Sequence, residues 1–374
     1  MIRIEPVNDR IRLKQFIQFP AQVYQTDPAW VPPLHIERLH FFSPKNPYFD
    51  HARWQSWVAY RGVEPVGRIS AQIDELYLAR YKVRTGFFGS LEAENSADVF
   101  QALFQTAEAW LQAEGMATIQ GPFNLSINHE CGLLIEGYDD PPMVMMSHAR
   151  PYYAQHIEAN GYQKAQDMLA YHLGIHFPLP SGVARFLQKA KDSVRIRPLR
   201  RKYLQEELAI IKEIYEEAWA ENWGFLPFTD AEFAELGQQL KLLVEDDFVQ
   251  IAEIDGAPCA MLVAFPNLHE VIHDLGGRLW PWGWLKILWR LKVSYPKTGR
   301  VALMGVRRRF QSSPIGAAMA YGMIEAVRQA GLRKHVEQVE LSWILEDNKR
   351  MRHVLESLGA EAYKTYRIYE KALD

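Results

Sequence analysis

The chain reads as an α/β protein made of two tandem copies of one unit, each a mixed sheet flanked by helices. Three observations predict this. Two strand–turn–strand patterns occur far apart in the chain. Each is followed by a helix running into a glycine, and each set closes on a shorter helix, a glycine and a last strand. Hairpin glycine to final glycine spans 99 residues in the first copy (Gly62 to Gly161) and 103 in the second (Gly256 to Gly359).

The elements follow in order. Ile2–Glu5 alternates as a strand. Trp57–Tyr60 and Pro65–Ala71 flank the turn at Gly62, and Gln250–Ile254 and Pro258–Ala264 flank Asp255–Gly256. The middle helices, Val99–Glu114 before Gly115 and Ile315–Ala330 before Gly331, carry apolar residues at helical spacing, and the glycines read as C-terminal stops. Tyr152–Asn160, Gly161 and the strand Met168–Leu173 match Lys349–Leu358, Gly359 and the strand Tyr366–Tyr369. Between the copies, His176–Gly182 is punctuation rich in proline, followed by a short basic helix, the strand Val194–Pro198 and the helix Leu204–Trp219. The expected domains are 1–180 and 181–374. Locally the spacings differ: the second copy carries about 22 extra residues after its hairpin and the first about 18 before its last helix.

The bulk properties exclude several classes. With 374 residues, 48% hydrophobic and 23% charged, the chain suits two folded domains. A net charge of −3 gives no general attraction to nucleic acid. Two cysteines, Cys131 and Cys259, build no disulfide framework, so a reducing, cytoplasmic setting is expected. No apolar run reaches the roughly 18 residues of a membrane span. His148, His269 and His273 have no ligand spacing, and no metal is expected.

In the second copy the buried-type strand Val301–Val306 leads through Arg307-Arg308-Arg309-Phe310 into Gln311-Ser312-Ser313-Pro314-Ile315-Gly316 and a helix. This is an anion cradle in outline: Ser312 or Ser313 caps the helix, Pro314 suits its first turn, and Gly316 leaves room for close approach. The free amides and the dipole of a helix start favour phosphate. The arginines are either phosphate contacts or a solvated strand end.

That segment resembles the pyrophosphate loop of GNAT-type acyltransferases, Gln/Arg-x-x-Gly-x-Gly/Ala after a central strand. Gln311 and Gly316 match, and Pro314 replaces the first glycine, removing one N–H donor. The strand Val339–Leu345, Glu346-Asp347-Asn348 and the helix up to Gly359 follow in the family's order. The resemblance implies that the Asn348 helix flanks the thiol end of coenzyme A. The family's usual tyrosine acid, four residues before the glycine, is Leu355 here and Ile157 in the first copy. Over nearly its full length the chain also resembles a bacterial family of tandem GNAT-like proteins. The strings that carry this are Asp27–Pro33, Asn128–Leu134, Asn222–Phe225 and Ser342–Asn348. Some members of that family are linked to bacterial ceramide synthesis.

The resemblance implies transfer of an acyl group from an acyl-CoA thioester, acetyl-CoA or longer, to a primary amine such as a sphingoid base. The donor site is expected in the second domain, on Val306, Gln311, Ser312, Ser313, Gly316 and Asn348. A non-catalytic acyl-CoA or lipid-binding module and a Fem-like aminoacyltransferase are the alternatives. The first insertion, Asn124–Gly132, offers Glu130 and His129 as bases for the acceptor ammonium and Asn128 or Asn124 as oxyanion donors. Its bland reading is a loop whose polar groups satisfy backbone. Cys131 is not needed as a nucleophile. The second insertion holds Trp280–Val293, with four tryptophans, Lys286 and Arg290. It reads as an interfacial helix peripheral to the inner membrane, as the wall of an acyl tunnel, or as a helix packed on its own domain.

Overall fold

The computed structural model describes residues 1–177, 179 and 181–373. The expected boundary at residue 180 falls on Pro178 and Pro180, outside the described residues. The chain forms two compact units, each drawn from separate stretches: Met1–Met168, Ile272–Gly283 and Lys364–Asp374 in the first, Leu169–Val271 and Trp284–Tyr363 in the second. No helix among the described residues is long and apolar enough to cross a membrane.

In the first unit the strands Ile2–Pro6, Ala52–Arg61, Glu64–Asp74 and Thr85–Ala93 pair antiparallel in succession. The turn of the hairpin falls at Gly62, whose φ of +65° is open to glycine at no steric cost. Thr85–Ala93 then pairs in parallel with Thr118–Gly121, which pairs antiparallel with the C-terminal strand, Tyr369 opposite Gly121. The predicted middle helix is Ala97–Ala113. Its apolar stripe buries Val99, Phe100, Leu103, Phe104, Ala107 and Leu111. It lies so close to the sheet that a Cβ at Gly67 would stand 2.8 Å from Val99 and 2.9 Å from Leu103.

The second unit repeats the plan. Arg195–Pro198, the hairpin Val249–Ile254/Ala257–Pro266 and Thr298–Val306 pair antiparallel, and Thr298–Val306 pairs in parallel with Gln338–Leu345. The helices Leu204–Trp219 and Pro314–Arg333 bury Leu208, Ile211, Ile214 and Tyr215, and Met319, Met323, Ile324 and Val327. Gly115, Gly161 and Gly359 have left-handed φ values of +83°, +87° and +87°, as helix stops require. Gly331 differs. The helix runs past it to Arg333, because Gly331 is an interior packing site whose absent Cβ would lie 3.1 Å from Ile175.

Candidate functional site

In the second unit the parallel pairing of Thr298–Val306 with Gln338–Leu345 ends at Val301 opposite Leu341. Both strands continue, to Val306 and Leu345, as the two sides of a wedge. The outer edge of Thr298–Val306 stays tied to its antiparallel neighbour, with Ala260 opposite Val306, so the wedge keeps its shape. The result is a cleft of about 480 Å³. Ala302, Met304 and Val306 line one side, and Ser342, Trp343, Ile344 and Leu345 the other. Trp219, Asn222 and Trp223 close it from the end of the helix Leu204–Trp219, and Asn348, Met351, Val354 and Leu355 from the helix Lys349–Ser357. Inside, the Trp219 indole donates to the Met304 carbonyl at 3.1 Å and the Gln311 amide to the Val306 carbonyl at 3.0 Å. Asn222 and Trp223 enter because Gly224, at φ +66°, turns the chain after the helix.

At one end stands the loop before Pro314–Arg333. Ser313 is its N-cap: its Oγ accepts from the Gly316 amide at 3.1 Å and donates to the Phe310 carbonyl at 2.7 Å. The amides of Gln311, Ser313 and Ala317 close onto Arg308, Phe310 and Ser313. Pro314 has none to give. Most of the expected anion donors are thus spent on the loop itself. Gly316 is required for a reason the sequence did not reveal: a Cβ there would lie 2.0 Å from the Phe310 carbonyl oxygen. The glycine serves the loop's own packing.

Two arginines of the run, Arg307 and Arg308, are also committed. Arg307 binds Glu217 at 2.6 Å and Glu213 at 2.9 Å, and Arg308 binds Glu221 at 3.0 Å. Burial by itself lowers the Arg307 guanidinium pKa, but Glu217 and Glu213 outweigh it and raise it. The cation that does line the cleft is Arg350, exposed on the helix Lys349–Ser357, whose Nη1 donates to Ser312 Oγ at 2.8 Å. Nothing marks it in the sequence beyond its place two residues after Asn348. Asn348 caps that helix, accepting from the Met351 amide at 3.1 Å. Leu355, where the family tyrosine would stand, is 1% exposed in the cleft wall. Of the predicted donor residues, Val306, Gln311, Gly316 and Asn348 line the cleft. Ser313 sits behind it as a cap, and Ser312 meets it through Arg350. Trp219, Trp343 and the exposed carboxylate of Asp347 line it too, and sequence reasoning had assigned them no role.

The first unit has the same parallel junction, with a different outcome. Pairing of Thr85–Ala93 with Thr118–Gly121 ends at Phe87 opposite Gln120, and the chain then crosses the gap itself. Phe123-Asn124 pairs with Glu130-Cys131, and the Gln72 amide donates to the Phe123 and Leu125 carbonyls at 2.6 and 3.0 Å. The Asn124 side chain accepts from the Ser90 amide at 2.7 Å. The approach is so close that a Cβ at Gly89 would stand 1.8 Å from the Phe123 carbonyl. The insertion plugs its own unit's wedge. Within it, Glu130 accepts from Arg38 on one oxygen and from the Asn124 amide, at 2.9 Å, on the other. Burial lowers the Arg38 pKa, but Glu130 and Glu37 more than offset this and hold it above the usual arginine range. His129 Nδ1 lies 2.9 Å from Ser126 Oγ, and its ring packs edge-on against Phe41 and Tyr48. The backbone N–H of Asn128 donates to the same Ser126 oxygen at 3.2 Å. Both cysteines are buried.

Among the described residues no group of three or more His, Cys, Asp or Glu is placed to hold a metal. No family model matches the chain. It is 50% identical over 362 residues to the protein YghO of Escherichia coli K12, covering 96% of this chain and 93% of that protein. It is 44% identical over 375 residues to the bacterial ceramide synthase of Caulobacter vibrioides, covering 100% and 98%. Among solved structures it is similar to a tandem GNAT protein from the clavulanic acid biosynthesis pathway (TM-score 0.58, 15% identity, 100% and 99% covered). It is similar also to a GCN5-related N-acetyltransferase from Sphaerobacter thermophilus (TM-score 0.57, 12% identity, 100% and 96% covered). The fold is therefore the tandem GNAT fold, and the chain belongs to the bacterial family of tandem GNAT-like proteins that includes YghO and the Caulobacter ceramide synthase.

Proposed function

We propose that the chain is an N-acyltransferase that takes an acyl thioester donor in the cleft of its second unit. The observation that carries this reading is the contrast between two equivalent junctions: the wedge of the first unit is filled by its own residues 123–131, and that of the second is open. The donor supplies an activated carbonyl. Attack by a neutral amine forms an amide C–N bond and breaks the C–S bond. The nitrogen gives up two protons, one from the ammonium to a base before attack and one as the adduct collapses. The thiolate takes up one, so one proton is released overall.

The residues fit an acyl-CoA thioester in a particular way. The apolar walls, Met304, Trp343, Ile344 and Met351 among them, suit the pantetheine arm and acyl chain, and Gln311 and Asn348 follow the ends of the two parallel strands on either side of the wedge. With the loop amides committed, Arg350 and Ser312 take the phosphate. The kinship with a ceramide synthase supports a long-chain acyl group and a lipid amine such as a sphingoid base as acceptor.

For the acceptor's proton we propose Glu130 or His129 as base, with Asn128 on the same insertion as a donor to the oxyanion. A second carboxylate, Asp347, is favoured by a specific observation: it lines the open cleft itself. The reading is tested by following thiol release from acyl-CoAs of rising chain length, with and without sphingoid and short amines. Release that requires the amine supports a transferase. Binding of acyl-CoA without release for any amine supports a binding module, which Leu355 at the tyrosine position would suit.

A further inference from the structure

The helix Gly283–Lys292 is apolar on two faces. One face is used: Leu291 is buried, Ile287 half-buried, and Arg290 Nη1 donates to the Val271 carbonyl at 2.6 Å. The other face carries Trp284, Leu285, Leu288, Trp289 and Val293. All are exposed, Leu288 at 51%, Trp289 at 56% and Val293 at 70%. Large apolar side chains gathered on an exposed surface mark a place that something else covers. Just before it in the chain, Trp280 and Trp282 are exposed as well, at 75% and 67%.

Charge decides what covers such a face. From Leu275 to Ile324 the chain has no acidic residue and nine basic ones, within a protein of net charge −3. Three of the nine, Arg300, Arg307 and Arg308, are engaged with Glu340, Glu213, Glu217 and Glu221, and Lys297 with Glu337. Lys286 and Lys292 are exposed on the tryptophan helix. Tryptophan and leucine with lysines whose stems can lie along the apolar surface are the side chains of a helix lying in a bilayer interface, with the charges at anionic headgroups. An apolar protein partner would have no use for the absence of acid.

We infer that the helix Gly283–Lys292, with Trp284, Leu288 and Trp289 inserted and Lys286 and Lys292 at the headgroups, docks the protein on an anionic lipid surface. No residue of the cleft takes part, so the inference stands apart from the donor reading. The test is co-sedimentation of the full chain with phosphatidylglycerol-containing vesicles and with pure phosphatidylcholine vesicles. Tryptophan quenching by brominated lipid serves as an independent measure. Binding to the anionic vesicles, weakened by salt and reduced at least about tenfold in Leu288→Ser/Trp289→Ser with an unchanged thermal transition, is expected. Absence of binding, equal binding of that variant, or lack of quenching by brominated lipid overturns the inference. So does a wild-type dimer that the same variant converts to monomer in light scattering, since the face then belongs to a second copy.

Discussion

Arg350 offers the cleanest test of where the donor's phosphate lies, and Arg350→Ala is the perturbation. At contact, about 4 Å, two unit charges attract by about 1 kcal/mol in bulk water and about 4 kcal/mol at the effective dielectric of a protein surface. Arg350 is exposed, so the lower part of that range applies, about 1–2 kcal/mol, or about a five- to thirtyfold loss in affinity. Its only described side-chain partner is Ser312, and an exposed contact of that kind is worth under about 1 kcal/mol to the fold. Calorimetric titration of coenzyme A at low and high salt separates the contributions. Wild type should weaken with salt, and the variant should bind weakly with a flatter dependence. Equal affinity of the two proteins at low salt would refute the assignment and move the phosphate away from this loop. A charge placed at Gly316 is a poorer probe, since any side chain there collides with the Phe310 carbonyl.

Other outcomes follow from the same contacts. Glu130→Gln keeps an oxygen for Arg38 and loses one charge-assisted contact, so stability should fall by about 1–2 kcal/mol. If Glu130 is the base, turnover falls about 10²- to 10⁴-fold and the pH–rate profile loses its acidic limb; if Asp347→Asn shows that pattern instead, the base stands in the open cleft. Gly316→Ala should lower both the melting temperature and donor affinity together, because the loop must move from the 2.0 Å clash, and an unchanged melting temperature would contradict the loop geometry. Burial pushes the Glu207 carboxyl up, but hydrogen bonds from Arg197 and Arg200 outweigh it and hold its pKa below the ordinary value. That stability is present above the unfolded glutamate pKa, about 4.3, and is lost as pH falls through the lower folded value. Glu207→Gln should therefore cost about 3 kcal/mol or more at neutral pH in denaturant unfolding and flatten the acid dependence of stability.

Much of the fold was legible because local rules and tertiary packing agree. Gly62 and Gly256 lie in hairpin turns, and Gly115, Gly161 and Gly359 end helices in the conformation that only glycine adopts cheaply. Gly331 misled because a glycine needed for packing against Ile175 looks, in sequence, like a helix stop. The donor cleft was legible in part. Gln311, Gly316 and Asn348 stand in a recognisable order, but Trp219 and Arg350 reach the wedge from helices whose pitch, not motif, brings them there. The strangeness of residues 124–132 was visible. That they fill a gap between strands was not, since Ser90 and Gln72, which hold them, lie far back in the chain.

The C-terminal strand has a bearing on how this protein is made. Residues 369–372 pair with residues 118–121, the Leu373 amide donates to the Ala117 carbonyl, and Lys371 binds Glu108. The first unit is therefore built from stretches separated in the chain by nearly all of the second. During synthesis the sheet edge at residues 118–121 stays open until residues 369–372 have left the ribosome. Substitutions that spoil residues 369–372 as a strand would thus injure the half of the molecule that was translated first.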